Sequence, residues 1–344
     1  MKTELFGLFL HEITQRLADF KVPSYRARQI TEWMYRQGET DFERMTNLPK
    51  ELRLLLAEQC CITELSVIAE QHSKDSKTSK YLLRLADGNA IEAVLMRQSY
   101  GNSICVSSQV GCAMGCSFCA STLGGVIRNL TAGEILSQVF HFSRLLKESG
   151  GVNSIVMMGS GEPLANYNEV LRFIRLCHEE YCLNMSYRNI TVSTSGLVPA
   201  IGQLAQEGLP INLSISLHAP DNEIRSQLMP INRKYPIEQV ISTAGNYAQT
   251  TGRRITYEYT LIKGVNDRPQ HARQLAAKIR GQLANVNLIP VNPVPEKGLL
   301  RPEAATIKEF ENELKKLRIT TTVRREMGSD IQAACGQLRH KTSQ

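Results

Sequence analysis

The chain has 344 residues, 42% of them apolar and 21% charged, the balance of a globular protein with room for one large domain and a smaller one. No run of eighteen apolar residues occurs, and Glu4, His11 and Glu12 interrupt the N-terminus too early for a secretory leader, so a membrane span and export are not expected and a cytoplasmic home is. The 40 Lys and Arg exceed the 33 Asp and Glu by a net +7, and the nine cysteines are odd in number, which gives a mild bias toward polyanionic partners and points to thiol chemistry in a reducing compartment rather than a bridge framework.

The first sixty residues read as short helices. Leu5, Leu8, Phe9 and Ile13 recur at helical spacing, Tyr25, Ile30, Trp33 and Met34 form a second stripe after Pro23, and Leu52, Leu54 and Leu55 a third after Pro49. Trp33 and Tyr35 have the spacing of core aromatics more than of stacking platforms. From residue 64 the pattern changes to short strands, LSVIAEQ and then KYLLRL and IEAVLM, the last two joined by Asp87-Gly88-Asn89, a hairpin turn. A boundary is expected near residue 97.

Beyond it, apolar runs alternate with amphipathic helices. SICVSS precedes a helix over 131–148, SIVMMG one over 167–182, ITVSTS one over 197–207, and LSISLH two over 222–228 and 237–249. ITYEYTL precedes 269–281, VNLIPV precedes 303–317, and TTVRRE comes last. Thr131 with Glu134 three residues on marks one helix start. This alternation predicts an α/β protein with a parallel sheet covered by helices, six or seven units forming a partial or full barrel. Ligands should then gather at the C-terminal strand ends, where Gly159, Gly161, Glu162, Ser193, Ser195, Ser216, His218 and Asn292 fall.

The first strand is followed by VSSQVGCAMGCSFCASTL, which places Cys112, Cys116 and Cys119 in a C-x3-C-x2-C arrangement. Three close thiolates with no fourth ligand nearby fit a [4Fe-4S] cluster with one open iron. A zinc site with a distant ligand, or inert buried thiols, are the competing readings. Two further cysteines stand alone, Cys105 upstream and Cys335 near the C-terminus.

With Phe118 just before its last cysteine, this motif resembles the radical S-adenosylmethionine superfamily. Within it the chain is similar, over nearly its whole length, to the dual-specificity RNA adenine C2-methyltransferases. The resemblance rests on CVSSQVGCAMGCSFCASTLGG, GEPLANY at 161–167, TVSTSG at 191–196, SLHAP at 216–220, LMPINR at 228–233, GVNDRPQHA at 264–272, IPVNPVP at 289–295 and DIQAACGQLR at 330–339. One departure is Ser160, where many relatives carry an apolar residue.

The resemblance implies a partial (β/α)6 TIM-like barrel over 98–344 with a catalytic loop around 328–338. It also implies a helical RNA-binding accessory domain over 1–60 and a β-hairpin extension over 61–97. It makes Cys112, Cys116 and Cys119 the cluster ligands and matches Gly161, Glu162, Ser193, Ser216, Leu217, His218 and Asn292 to positions that bind S-adenosylmethionine. Cys335 becomes the thiol that is methylated and carries the methyl carbon, Cys105 the thiol that releases the RNA through a transient disulfide, and Glu92 the proton acceptor. The implied substrates are an adenosine of 23S rRNA in the peptidyl transferase region and adenosine 37 of tRNA. Two S-adenosylmethionines would be consumed per product, with electrons from a flavodoxin- or ferredoxin-like donor and a monomeric enzyme. Methylation at adenine C8, or an iron-sulfur RNA-binding protein without activity, are the alternatives. Arg324 and Arg325, in a basic C-terminal stretch, are candidates for positioning the RNA backbone.

Overall fold

The computed structural model describes residues 2–338; Arg339, the last residue of DIQAACGQLR, lies outside them. Ten strands make one continuous sheet: β1 (Ser66–His72), β2 (Thr78–Arg84), β3 (Ala90–Gln98), β4 (Gly101–Cys105), β5 (Ser154–Met157), β6 (Ile190–Thr194), β7 (Asn212–Ser216), β8 (Ile255–Leu261), β9 (Ala284–Pro290) and β10 (Thr321–Val323). They lie side by side in chain order, with β1 and β10 at the edges. From β4 to β10 all neighbours are parallel. From β1 to β4 they are antiparallel. The edges do not pair, so the barrel stays open, as the partial-barrel expectation requires.

Helices α1 (Leu10–Ala18), α2 (Ser24–Thr31) and α3 (Lys50–Gln59) form the N-terminal bundle, and α4 (Ala132–Leu145), α5 (Tyr167–His178), α6 (Val198–Gln206), α7 (Asn222–Leu228), α8 (Ile237–Thr251), α9 (Pro269–Ile279) and α10 (Ala304–Lys316) alternate with the parallel strands. The parallel half therefore contains six strand-helix units, with α7 and α8 both following β7, and β10 closes the run. The expected capping box is formed: the Thr131 hydroxyl accepts from the Glu134 N–H at 3.1 Å, and the Glu134 carboxylate accepts from the Thr131 N–H at 2.9 Å.

The parallel strands alternate in a way that a fully enclosed parallel sheet does not. Leu213, Ile215, Tyr257, Tyr259, Val286 and Leu288 are buried in the main hydrophobic core. Their neighbours Asn212, Ser214, Thr256, Glu258, Asn285 and Asn287 line an open cleft in the barrel interior. The interior is polar and open, unlike the filled core of a closed barrel.

The stretch expected as a hairpin extension is a three-stranded meander that is not set apart from the barrel. Strand β3 runs through residue 97 and pairs with β4, Val94 opposite Cys105 and Gln98 opposite Gly101. The N-terminal bundle docks just as closely. Gly7, at φ +87°, approaches α4 so tightly that a Cβ there would lie 2.5 Å from the Gly133 nitrogen. The Tyr35 hydroxyl accepts from the Gly7 N–H and donates to the Leu8 carbonyl, both at 2.9 Å. Tyr35 is core, as its spacing suggests, and Trp33 packs against that core while its ring N–H donates to Asn47.

Candidate active site

The three-cysteine loop leaves β4 and is closed at its base by a short antiparallel pair, Gln109–Gly111 with Val126–Asn129. Gly111 is required there: its φ is +75°, and a Cβ would meet the Gly125 carbonyl oxygen at 2.0 Å. The Cys112 N–H donates to that same carbonyl at 2.9 Å. Further on, the Thr122 hydroxyl donates to the carbonyls of Cys119 and Cys116 at 2.9 and 3.3 Å. The loop is thus fixed by its own backbone before any ligand arrives.

Cys112, Cys116 and Cys119 line a cavity of about 140 Å³ together with Gly161, Glu162, Ser193, Ser216, His218, Asn292 and Cys335. With Thr260 of β8 also on the wall, residues from the C-terminal ends of six strands, β4 to β9, reach this one space. Leu217 does not line it. Its side chain is buried in the core, its N–H donates to the Glu258 carbonyl at 3.1 Å, and its own carbonyl accepts from Arg225 Nε at 3.2 Å.

Each polar lining group has a cause for its place. Gly161 has φ +109° and crosses so close over Gln109 that a Cβ would lie 2.7 Å from the Gln109 Cβ. Gln109 Oε1 accepts the Glu162 N–H at 2.8 Å, and the Glu162 carboxylate accepts from the Ser195 and Leu164 N–H groups at 2.7 and 3.0 Å. Burial raises the Glu162 carboxyl, and the Ser195 N–H opposes that shift. His218, at φ +57°, accepts the Thr260 N–H on Nδ1 at 2.9 Å and meets Phe118 edge-on at 4.7 Å. Burial, aided by the Arg225 charge, drops His218 to about 3, so it is neutral with its proton on Nε2.

The donor set fits the two groups that the motif implies. Cys112, Cys116 and Cys119 line one cavity, and thiolates are the donors that an iron-sulfur cluster takes. The Ser195 hydroxyl is buried without a hydrogen-bond partner on the wall of that cavity. An orphaned polar group there suits a polar small molecule. Burial pushes Cys112 up to about 11 and raises Cys116 and Cys119 as well, so a bound cation would be what keeps them as thiolates.

The C-terminal loop lies over the barrel mouth. The Ala120 N–H donates to the Gly336 carbonyl at 2.7 Å, and the Ser121 hydroxyl donates to the Leu338 carbonyl at 2.7 Å. Asn292 Nδ2 donates to the Cys335 carbonyl at 3.0 Å. Ser160, the residue that departs from the family pattern, places its hydroxyl 3.2 Å from that of Ser121, so it joins the GEP turn to this strap.

Cys105 and Cys335 share the open cleft of about 1450 Å³, and Cys335 also lines the small cavity. Both are free thiols, and no disulfide forms among the described residues. Burial, reinforced by the neighbouring Cys335, pushes Cys105 up to about 12. Glu92 lies on the same sheet face as Cys105 but lines neither space. It pairs instead with Lys80 at 3.1 Å.

Sequence reasoning missed Glu258, Arg225 and Lys80. Glu258 lines both spaces and accepts from Asn287 at 2.8 Å; one carboxylate inside the apolar run ITYEYTL was the available signal. Arg225 is fully buried and donates to the carbonyls of Ser195, Tyr235 and Leu217 at 2.7, 3.2 and 3.2 Å, tying two strand ends together. Arg324 is half-buried, lines both spaces, and donates toward the Met158 sulfur at 3.6 Å. The exposed Arg325 lines the open cleft only.

The cleft lining carries seven cations, Lys77, Arg97, Arg188, Arg254, Arg301, Arg324 and Arg325, against Asp75, Glu258 and Glu326. Arg188 and Arg254 stand at the opposite end of the barrel from the cysteines, exposed and outside every ion pair among the described residues. No helix among those residues is long and apolar enough to cross a membrane.

Two family models match the chain: the radical SAM superfamily over residues 106–276 and the ribosomal RNA large subunit methyltransferase N-terminal domain over residues 3–62. A probable dual-specificity RNA methyltransferase RlmN of Symbiobacterium thermophilum is 53% identical over 97% of this chain and 91% of its own length. Its counterpart in Desulforamulus reducens is 48% identical over 99% and 97%. The crystal structure of a radical SAM methyltransferase from Sphaerobacter thermophilus superposes with a TM-score of 0.95 at 49% identity, covering 98% of this chain and 99% of that one. With this agreement running through both the N-terminal bundle and the barrel, the chain belongs to the RlmN family of dual-specificity radical SAM RNA methyltransferases, a family that implies an iron-sulfur cluster and S-adenosylmethionine.

Proposed function

We propose that the chain methylates C2 of an adenosine in 23S rRNA and of adenosine 37 in tRNA, with Cys335 carrying the methyl carbon. Cys112, Cys116 and Cys119 would hold one [4Fe-4S] cluster, and Gly161, Glu162, Ser193, Ser216, His218 and Asn292 would surround S-adenosylmethionine, with Leu217 contributing through its backbone. Bound together, these groups supply radical chemistry, which an aromatic carbon without a nucleophilic lone pair needs.

The observation that carries the reading is the position of Cys335. It is the thiol that faces the cofactor-side cavity and the open cleft at once. A methyl group accepted on one side can therefore meet a base presented on the other. Cys105 shares the cleft and would take over the Cys335 sulfur when the RNA is released, a thiol exchange that needs both sulfurs accessible to each other. Glu92 would accept the proton from C2.

The cation-rich cleft suits RNA bound through phosphates with its target base unstacked. A flavodoxin- or ferredoxin-like protein would supply electrons to a monomeric cytoplasmic enzyme. The deciding experiment is anaerobic turnover on 23S rRNA and tRNA transcripts, followed by digestion and mass spectrometry against 2-methyl- and 8-methyladenosine. We expect 2-methyladenosine from both RNAs. The 8-methyl product would shift the regiochemistry, and no modified base from either RNA would defeat the reading.

A further inference from the structure

We propose that Lys80 is a positioning residue that locks Glu92 and the Cys335 loop into one arrangement; this rests on the roles of Glu92 and Cys335 proposed above. Strand register puts the groups together. Lys80 lies opposite Val94, and Val94 lies opposite Cys105, so all three side chains share one face of the antiparallel sheet. Glu92, two residues before Val94, shares that face too. The C-terminal loop covers it, with Ala333 and Leu338 packing on Val94, Met96 and Cys105.

Under this cover Lys80 Nζ is 3.1 Å from a Glu92 carboxylate oxygen, with only 7% and 3% of the two side chains exposed. The same Nζ donates to the Gln332 carbonyl at 3.1 Å. Gln332 is in the left-handed region at φ +52°, three residues before Cys335. A lysine is rarely enclosed this far from water, and the carboxylate alone would compensate its charge. The second bond, to a loop carbonyl, does something else. The ammonium's donors rotate on a flexible stem, but one enclosed nitrogen bonds both the carbonyl and the carboxylate, so each is tethered to the other through it. The carrier loop and the proton acceptor are thereby kept in register.

The other ties of the loop run elsewhere. Gly336 and Leu338 are anchored to the cysteine loop, the Cys335 carbonyl accepts from Asn292 at 3.0 Å, the Pro293 carbonyl accepts from Gln337 at 2.9 Å, and Asp330 accepts the Lys74 N–H at 2.9 Å. The bond from Lys80 joins the loop to Glu92, so its loss loosens the turn before Cys335 on that side.

The test is the rate at which native, full-length protein is alkylated by iodoacetamide, mapped by mass spectrometry at each cysteine, beside RNA turnover. Lys80→Met should speed alkylation of Cys335 by about tenfold, the size of a modest local opening, and abolish turnover. Glu92→Gln keeps the Lys80–Gln332 bond, so it should lose turnover with the Cys335 rate unchanged. Lys80→Met combined with Glu92→Gln removes both charges of the buried pair, and should show the same open loop in a protein that folds. Cys177, fully buried in the core, is the internal control and should stay unreactive throughout. An unchanged Cys335 rate in the combined variant, or Cys177 reacting in step with Cys335, would overturn the proposal, the second by making Lys80 a stabiliser of the whole fold. The alkylation arm needs neither RNA nor cofactor, so it stays decisive even if the methylation reading fails.

Discussion

The two halves of the sheet place chemistry by different rules. In the parallel half, β4 to β10, functional groups sit at strand ends, because every strand points the same way and delivers its C-terminus to one mouth. In the antiparallel half, β1 to β4, strand ends alternate in direction and no such mouth exists. Here Lys80 and Glu92 sit inside their strands and share a face with Cys105, the last residue of β4, under the C-terminal loop. Strand β4 belongs to both halves, parallel to β5 and antiparallel to β3. The comparison teaches that the cofactor-side groups depend on topology, while the carrier and release groups depend on register and on what the loop covers.

The largest effect should come from breaking the parallel half at its cysteines. Cys116→Ala is expected to abolish iron uptake during anaerobic reconstitution and, with it, cleavage of S-adenosylmethionine. Cys116 is small and lies beside a cavity, so the unfolding midpoint in urea should hardly move. A variant that still takes up a full complement of iron would show that the three thiols are not the ligand set.

Breaking the antiparallel half should leave the cluster alone and stop a later event. In Cys105→Ala the carrier thiol remains, so RNA should become attached to Cys335 and stay attached. The expected observation is an RNA-bearing protein band on a denaturing gel and a crosslinked Cys335 peptide by mass spectrometry. Cys105→Ala combined with Cys335→Ala should give no band. Normal turnover without Cys105, or attachment at another residue, would separate the two thiols that the cleft brings together.

How far each half was legible follows from the same contrast. Apolar runs alternating with helices implied the parallel order and the strand-end positions, and the observed helices α4 to α10 fall inside or within two residues of the expected ranges. The cysteine spacing supplied the cluster loop, since its three thiols are local in sequence. Glu258 hides in ITYEYTL, which counts as an apolar run by composition, although its alternation of Thr, Glu and Thr with Ile, Tyr, Tyr and Leu already encodes a polar inner face. Lys80 carried no signal of its own: a lysine two residues into a strand reads as a solvated edge, and its burial comes from a loop more than two hundred residues away. The hairpin turn at Asp87-Gly88-Asn89 was readable, but the continuation of β3 through residue 97 into β4 was not, because the two-residue connection at 99–100 lacks an Asn-Gly signature.

The smallest effect concerns the open cleft inside the barrel, which both halves line. Arg254 stands just before β8, exposed and outside every ion pair among the described residues, at the end of the cleft remote from the cysteines. A guanidinium of that kind adds little to stability and much to the local potential. If RNA phosphates reach this far, Arg254→Ala should weaken binding several-fold at low salt and reduce the slope of log affinity against log salt by about 0.7 to 0.9, the release of counterions from one phosphate. Arg325→Ala, on the cleft wall nearer Cys335, should act alike and independently, so that the double variant loses roughly twice the slope. The comparison residue is Arg273, which is exposed but paired with Glu313 at 2.7 Å on the helical outside of the barrel. Arg273→Ala should change neither affinity nor slope. Equal losses at Arg254 and Arg273 would mean that RNA responds only to net charge and that the cleft has no special part in holding it, whereas a loss confined to the cleft would place the RNA strand along the polar interior of the open barrel.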